Sequence, residues 1–166
     1  MYITEQDFIN KFELTLGDFN IPKFTAYIDR YETITLQNLF GVELFDLWEA
    51  GLTATDPIYE TLRDPFTVQL QCGEILNSRG IKDIILGVVY YFYTADNYTQ
   101  KTINGSVKQK GENSDNVRLI KANLQSRYNE AMESYRAIQR YICDNKDVYP
   151  TYKGVEKSIL SIFWET

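Results

Sequence analysis

Apolar residues recur along the chain at helical spacing almost from its start. Thr4, with Asp7 three residues on, reads as a capping-box-like start, and Phe8, Ile9 and Phe12 then predict a short first helix. Gly17 and Asn20 close that stretch. Pro22 suits the first turn of a second helix, where the donor it lacks would be unpaired anyway, and Phe24, Tyr27, Ile28, Tyr31 and Ile34 continue the stripe. Through 36–51 (LQNLFGVELFDLWEAG) it runs on with Leu39, Phe40, Leu44, Leu47 and Trp48. A break or kink is expected at Gly41 and a left-handed C-cap at Gly51.

The pattern then changes scale. Asp56-Pro57 and Asp64-Pro65 bracket one or two helical turns, IYETLR. Residues 66–76 read as a further short amphipathic helix. Across 81–98, Ile84, Ile85, Val88, Val89, Phe92 and Tyr93 leave little polar face, which predicts a buried central helix. The longest segment, 116–143, is capped by Ser114 or Asp115 and repeats Val117, Ile120, Leu124, Tyr128, Ala131, Tyr135, Ile138 and Ile142. As a helix it would be about 40 Å long. The expected fold is all-α, a compact helical bundle with a long C-terminal helix. After Asn145 come Pro150 and Gly154, then Ile159, Leu160, Ile162, Phe163 and Trp164. So apolar an end is expected to dock, either on its own core or on another subunit.

Between the two best helices lies KTINGSVKQKGENS, 101–114. Asn-Gly favours the positive-φ positions of a type I′ turn, and Thr102-Ile103 and Ser106-Val107 flank it with strand-prone residues. The predicted hairpin turns on Asn104 and Gly105, setting Ile103 opposite Ser106, Thr102 opposite Val107, and Lys101 opposite Lys108 in a mildly repulsive pair. An isolated two-stranded ribbon is marginal in water, and the rest of the chain offers few strand candidates. A partner on another molecule is therefore expected for an arm formed by Lys101, Thr102, Ile103, Asn104, Gly105, Ser106, Val107, Lys108 and Lys110. A plain helix-to-helix loop is the alternative, although the stretch exceeds the usual connection between adjacent helices.

Charge sets this stretch apart. The chain of 166 residues has a net charge of -6, yet from Lys101 to Lys121 five cations (Lys101, Lys108, Lys110, Arg118 and Lys121) stand against only Glu112 and Asp115, leaving that span net +3. Such a segment fits an acidic partner, non-specific contact with a phosphate backbone, or simple solvation. The acidic whole, with a pI near 4.7, argues against sequence-specific nucleic-acid binding. Thirteen Tyr and nine Phe point to extensive contact surface or to a Tyr-rich core.

Length predicts one domain able to bury roughly 70% of its unfolded surface. The two cysteines, Cys72 and Cys143, fall in no metal or disulfide pattern and are expected to be free, buried thiols of a reducing compartment. MYITEQDF lacks a leader pattern, and the apolar run at 84–95 is too short for a membrane span, so no membrane association is expected.

Chemistry is the thinnest part of the chain. With no histidine, the commonest general base, the Ser-His and Cys-His dyads and most catalytic zinc sites are removed together. Glu43, Asp46 and Glu49 sit three apart, which suits a solvated helix face better than acid–base work. Nucleotide and calcium loops are lacking, and Cys72 has no visible base to activate it. No catalytic residue, cofactor or metal is expected.

Taken in order, the short first helix, the helix leading into LFGVELFDLW, the IYETLRDP segment, the helix opened by GIKDIILGVVYYFY, the T-x-x-G-x-V insertion and the long helix ending YICDNKDVYP resemble the head–tail connector proteins of tailed bacteriophages. The flavour is that of crAss-like and other Bacteroidetes phages. The resemblance implies a structural subunit that forms a ring with other copies of itself, commonly about twelve, under the portal protein of the capsid. Such a ring extends the channel through which DNA passes non-specifically and offers a docking surface to the tail or further neck proteins. It would belong to the virion neck and assemble in the bacterial host cytoplasm. The resemblance divides the chain into a connector domain, 1–146, whose arm at 101–114 meets other subunits or the portal, and a docking tail, 147–166. The rival expectation is a small non-enzymatic helical adaptor holding a partner peptide in a groove beside the central helix.

Overall fold

The computed structural model describes residues 3–12, 21–102, 105–108 and 114–154. The described residues are mostly helical, with two small antiparallel strand pairs. In chain order they form α1 (Glu5–Phe12), α2 (Ile21–Phe40), α3 (Val42–Thr53), α4 (Pro57–Arg63), β1 (Phe66–Gln69), β2 (Ile75–Ser78), α5 (Ile81–Tyr98), β3 (Thr99–Thr102), β4 (Gly105–Lys108) and α6 (Ser114–Asp144).

Local chemistry accounts for most boundaries. The Thr4 backbone N–H and hydroxyl both donate to the Asp7 carboxylate, at 2.9 and 3.1 Å, so α1 opens on the expected cap. Gly41 separates α2 from α3 with φ 74°, a conformation that a side chain resists. Asp56 accepts from the Ile58 N–H at 3.0 Å, and Pro57 fills the first turn of α4.

Gly51 corrects the expected C-cap. It lies inside α3, and the left-handed residue is Thr55, with φ 57°. Gly51 is needed for space: a Cβ there would stand 2.0 Å from Cδ2 of Tyr59, whose ring lies on the bare Cα. The backbone oxygen of Tyr59 also accepts from Trp48 Nε1 at 3.2 Å, fastening α4 to α3.

Residues 66–76 correct a second expectation. They form β1, a turn and the start of β2, paired Phe66 to Ser78, Thr67 to Asn77, Val68 to Leu76 and Gln69 to Ile75. Alternation explains it: Phe66, Val68, Leu76 and Ser78 point inward while Thr67, Gln69, Ile75 and Asn77 face out. Gly73, at φ 88°, supplies the turn.

The core is one large cluster built around α5. Ile81, Ile84, Ile85, Val88 and Val89 are all at most 1% exposed, as an apolar-all-round helix requires. On one side α6 contributes Tyr128, Ala131, Tyr135, Ile138 and Ile142 from its predicted stripe. The two helices approach closely at Gly87, where a Cβ would come within 2.6 Å of the Ala131 Cβ. On the other side α1 and α2 close the core through rings: Phe8 meets Phe24 edge-on at 4.6 Å, and Phe12 stacks on Tyr90 at 4.1 Å. Tyr149 and Tyr152, beyond the end of α6, belong to the same cluster, and the Tyr149 hydroxyl donates to the Ile58 carbonyl at 2.9 Å.

Candidate interaction surfaces

The arm begins where α5 ends. β3 follows Tyr98 directly and pairs with β4 as Thr99 to Lys108, Gln100 to Val107, Lys101 to Ser106 and Thr102 to Gly105. The hairpin is present, but its register differs from the expected one: Thr102 is opposite Gly105 rather than Val107. This register sets Lys101 and Lys108 against Ser106 and Thr99, so the two like charges no longer sit opposite each other. Ile103, Asn104 and Lys110 lie outside the described residues.

Two features define the arm's surroundings. Among the described residues, its extensive packing is the pairing of its own strands and contact with the end of α5. Below it, the last turn of α5 is tied to α2 where the Tyr27 hydroxyl donates to Asp96 at 2.5 Å; that hydrogen bond, followed by partial burial, pushes the phenol up to about 12. Tyr31 stacks on Phe92 at 4.4 Å nearby, so the base of the arm is stiffened by rings.

The second predicted surface, Ile159, Leu160, Ile162, Phe163 and Trp164, lies outside the described residues. The chain reaches it from Lys153, whose ammonium meets Glu43 on α3 at 2.9 Å. Glu43, Asp46 and Glu49 are all exposed, the solvated face their spacing predicts.

At the opposite end of α5 a cleft of about 630 Å³ opens over Pro65, Ile81 and Leu86. Its charges are already matched. Lys11 pairs with Asp83, Lys82 with Asp7 at 2.6 Å, Arg63 with Asp64 at 2.8 Å, and Arg79 with Glu130 at 2.6 Å. Partial burial pushes the Asp7 carboxyl up, but the Lys82 ammonium and the Thr4 donors together hold it below its usual range. The Arg63 guanidinium does the same for Asp64. A cleft neutralised in this way offers a ligand little uncompensated charge.

Cys72 and Cys143 are free, as expected, but both are exposed, which corrects the expected burial. Cys72 falls in the β1–β2 turn and Cys143 in the last turn of α6, just past the buried Ile142. Among the described residues no group of His, Cys, Asp and Glu could hold a metal ion, and no helix is long and apolar enough to cross a membrane.

The β1–β2 hairpin is the surface that the sequence pattern concealed. Ile75 stands 66% exposed on its outer face. Alternation over Phe66–Leu70 was the available signal. Compared with known proteins, the chain matches no family model, no curated protein and no solved structure.

Proposed function

We propose that this protein is a non-enzymatic structural subunit of a head–tail connector ring in a tailed bacteriophage of the crAss-like type. It would assemble in about a dozen copies, bind the portal protein, extend the DNA channel and present a surface to the tail or further neck proteins. The observation that carries this reading is the β3–β4 hairpin, a two-stranded ribbon inserted between α5 and α6 whose backbone, among the described residues, packs chiefly on itself and the end of α5. Two strands alone are marginal, so a chain that keeps such a ribbon at the end of a buried helix has a use for it in contact with something else. The order of helical elements and the basic character of the arm on an acidic body add support.

The arm, 101–114, would make contacts between subunits or with the portal, and the apolar residues Ile159, Leu160, Ile162, Phe163 and Trp164 would dock on a neighbour. The adaptor alternative would use the cleft at the start of α5, whose internally paired charges leave a peptide little to grip.

Native mass spectrometry and negative-stain microscopy test the proposal directly, with the portal protein from the same genome present, because a connector can stay monomeric until assembly. Closed rings seated on the portal are expected. A discrete monomer at high concentration that ignores the portal would contradict the reading.

A further inference from the structure

The chain carries two ribbons, and they stand at opposite ends of one helix. β2 ends at Ser78, just ahead of α5, and β3 starts directly after the last residue of α5. The 18 residues between span about 27 Å, so the ribbons of one molecule cannot pair with each other. Among the described residues each sheet has two strands, so each strand has one edge without a strand partner.

The two ribbons are complementary in what they lack. β1–β2 is held in place by α6: Leu76 packs with Ala137, Phe66 meets Tyr141 at 5.1 Å, and Arg79 N–H donates to the buried Ser134 hydroxyl at 3.1 Å. Its β2 strand packs on α6, and among the described residues β1, the more exposed of the pair, forms the side away from that helix. Among the described residues, the β3–β4 backbone packs chiefly through its own pairing and on the end of α5. Their compositions also differ: Glu74, which already pairs with Arg140 at 3.7 Å, is the only charged residue from Phe66 to Ser78, whereas Thr99 to Lys108 carries Lys101 and Lys108 and no acid.

We infer that the β3–β4 hairpin of one copy adds to the open β1 edge of a second copy, making a four-stranded sheet across the interface. An edge anchored on α6 meets the paired strands of the arm, and backbone hydrogen bonds join them. Both ribbons gain, because three or more strands on a packed face are stable where two are not. It also removes two open edges that would otherwise invite uncontrolled association. Donor and acceptor are different surfaces, so the contact is head-to-tail and repeats from copy to copy until it closes or runs on. This inference rests on the ring reading for its closure and deepens it by naming the surface that receives the arm.

Two single-cysteine proteins test it, made in a background in which Cys72 and Cys143 are replaced by serine. One carries Thr67→Cys on the outer face of β1, with Gln69→Cys as a second version, and the other carries Ser106→Cys on β4. Each is checked for an unchanged melting temperature, and the two are mixed with portal protein and treated with a short bismaleimide. Assembly is read in parallel by native mass spectrometry. The expected result is a mixed 67–106 or 69–106 dimer several-fold more abundant than either like-with-like dimer, together with rings. Rings without the mixed product would overturn the strand-addition inference and leave the connector reading intact. Mixed product in open chains that never close would retain strand addition and remove the ring. Neither assembly nor mixed product would overturn both.

Discussion

β1–β2 and β3–β4 are both antiparallel pairs of four-residue strands, yet they depend on different things. The first sends Val68 and Leu76 toward α6 and is locked at its exit by the buried pair Ser78 and Ser134, whose hydroxyls accept from the N–H groups of Gly80 and Arg79. Among the described residues, the backbone of the second packs mainly with its own two strands and the end of α5. Secondary structure alone therefore says little about a hairpin's role. What lies under it decides whether it belongs to the fold or waits for a partner.

The sharpest way to break this comparison is to truncate each ribbon where it is apolar. Leu76→Ala should cost about 2–5 kcal/mol, as buried leucines do, measured by urea unfolding. If the arm serves assembly, Val107→Ala in the isolated protein should stay within about 0.5 kcal/mol. Equal losses would mean the arm has a core contact after all.

The joint between β1–β2 and α5 gives the next largest effect. Gly80 has φ 85°, and a Cβ there would come within 2.7 Å of the Arg63 carbonyl oxygen, which is backbone and cannot swing aside. Gly80→Ala should therefore cost roughly 1–3 kcal/mol by strain and clash together. Gly73→Ala, at φ 88° but with open space around its Cβ position, should cost only the conformational part, about 1 kcal/mol.

Hydrogen exchange sharpens the same contrast without mutation. In the isolated protein the amides of β3 and β4 should exchange orders of magnitude faster than those paired between β1 and β2, since a two-stranded ribbon without a packed face opens at little cost. Comparable protection would contradict the account.

Titration separates the packed body from the arm more gently. Burial raises the phenols of Tyr128 and Tyr149 and pushes Tyr152 up to about 12, while the Asp96 hydrogen bond takes Tyr27 to about 12. A raised pKa favours the folded state while the phenol is protonated. Stability from these groups is thus complete below about pH 10 and is lost as pH climbs through their folded values. Asp7 and Asp64, held low, contribute above about pH 4 and lose that contribution as pH falls further. With no histidine in the chain, melting temperature should be nearly level between about pH 5 and 8. Removing the arm should leave this profile unaltered.

Much of the body was legible in the sequence because its signals were local. The Thr4–Asp7 cap, Asp56-Pro57 and the all-apolar face of 81–98 each act within a few residues, and the structure follows them. The errors came where a distant neighbour decides. Gly51 looks like a helix stop until Tyr59 is seen lying on it, and Phe66–Leu70 reads as helix until α6 supplies a surface that selects alternation. Both cysteines were expected inside because cysteine usually is; Cys72 is exposed because the residues around it form a turn. The arm was legible as a hairpin, but its register depends on the pairing as a whole, and the favoured alignment keeps Lys101 and Lys108 from facing one another.

The central claim is that the arm serves assembly and not folding. Deleting residues 101–110 tests it most directly, with melting temperature and portal-dependent assembly read on the same sample. Shortening a loop changes closure entropy by only about 0.6 kcal/mol per halving, so the melting temperature should hold within a few degrees while rings disappear. Loss of the folded state, or rings that form normally without the arm, would contradict the account.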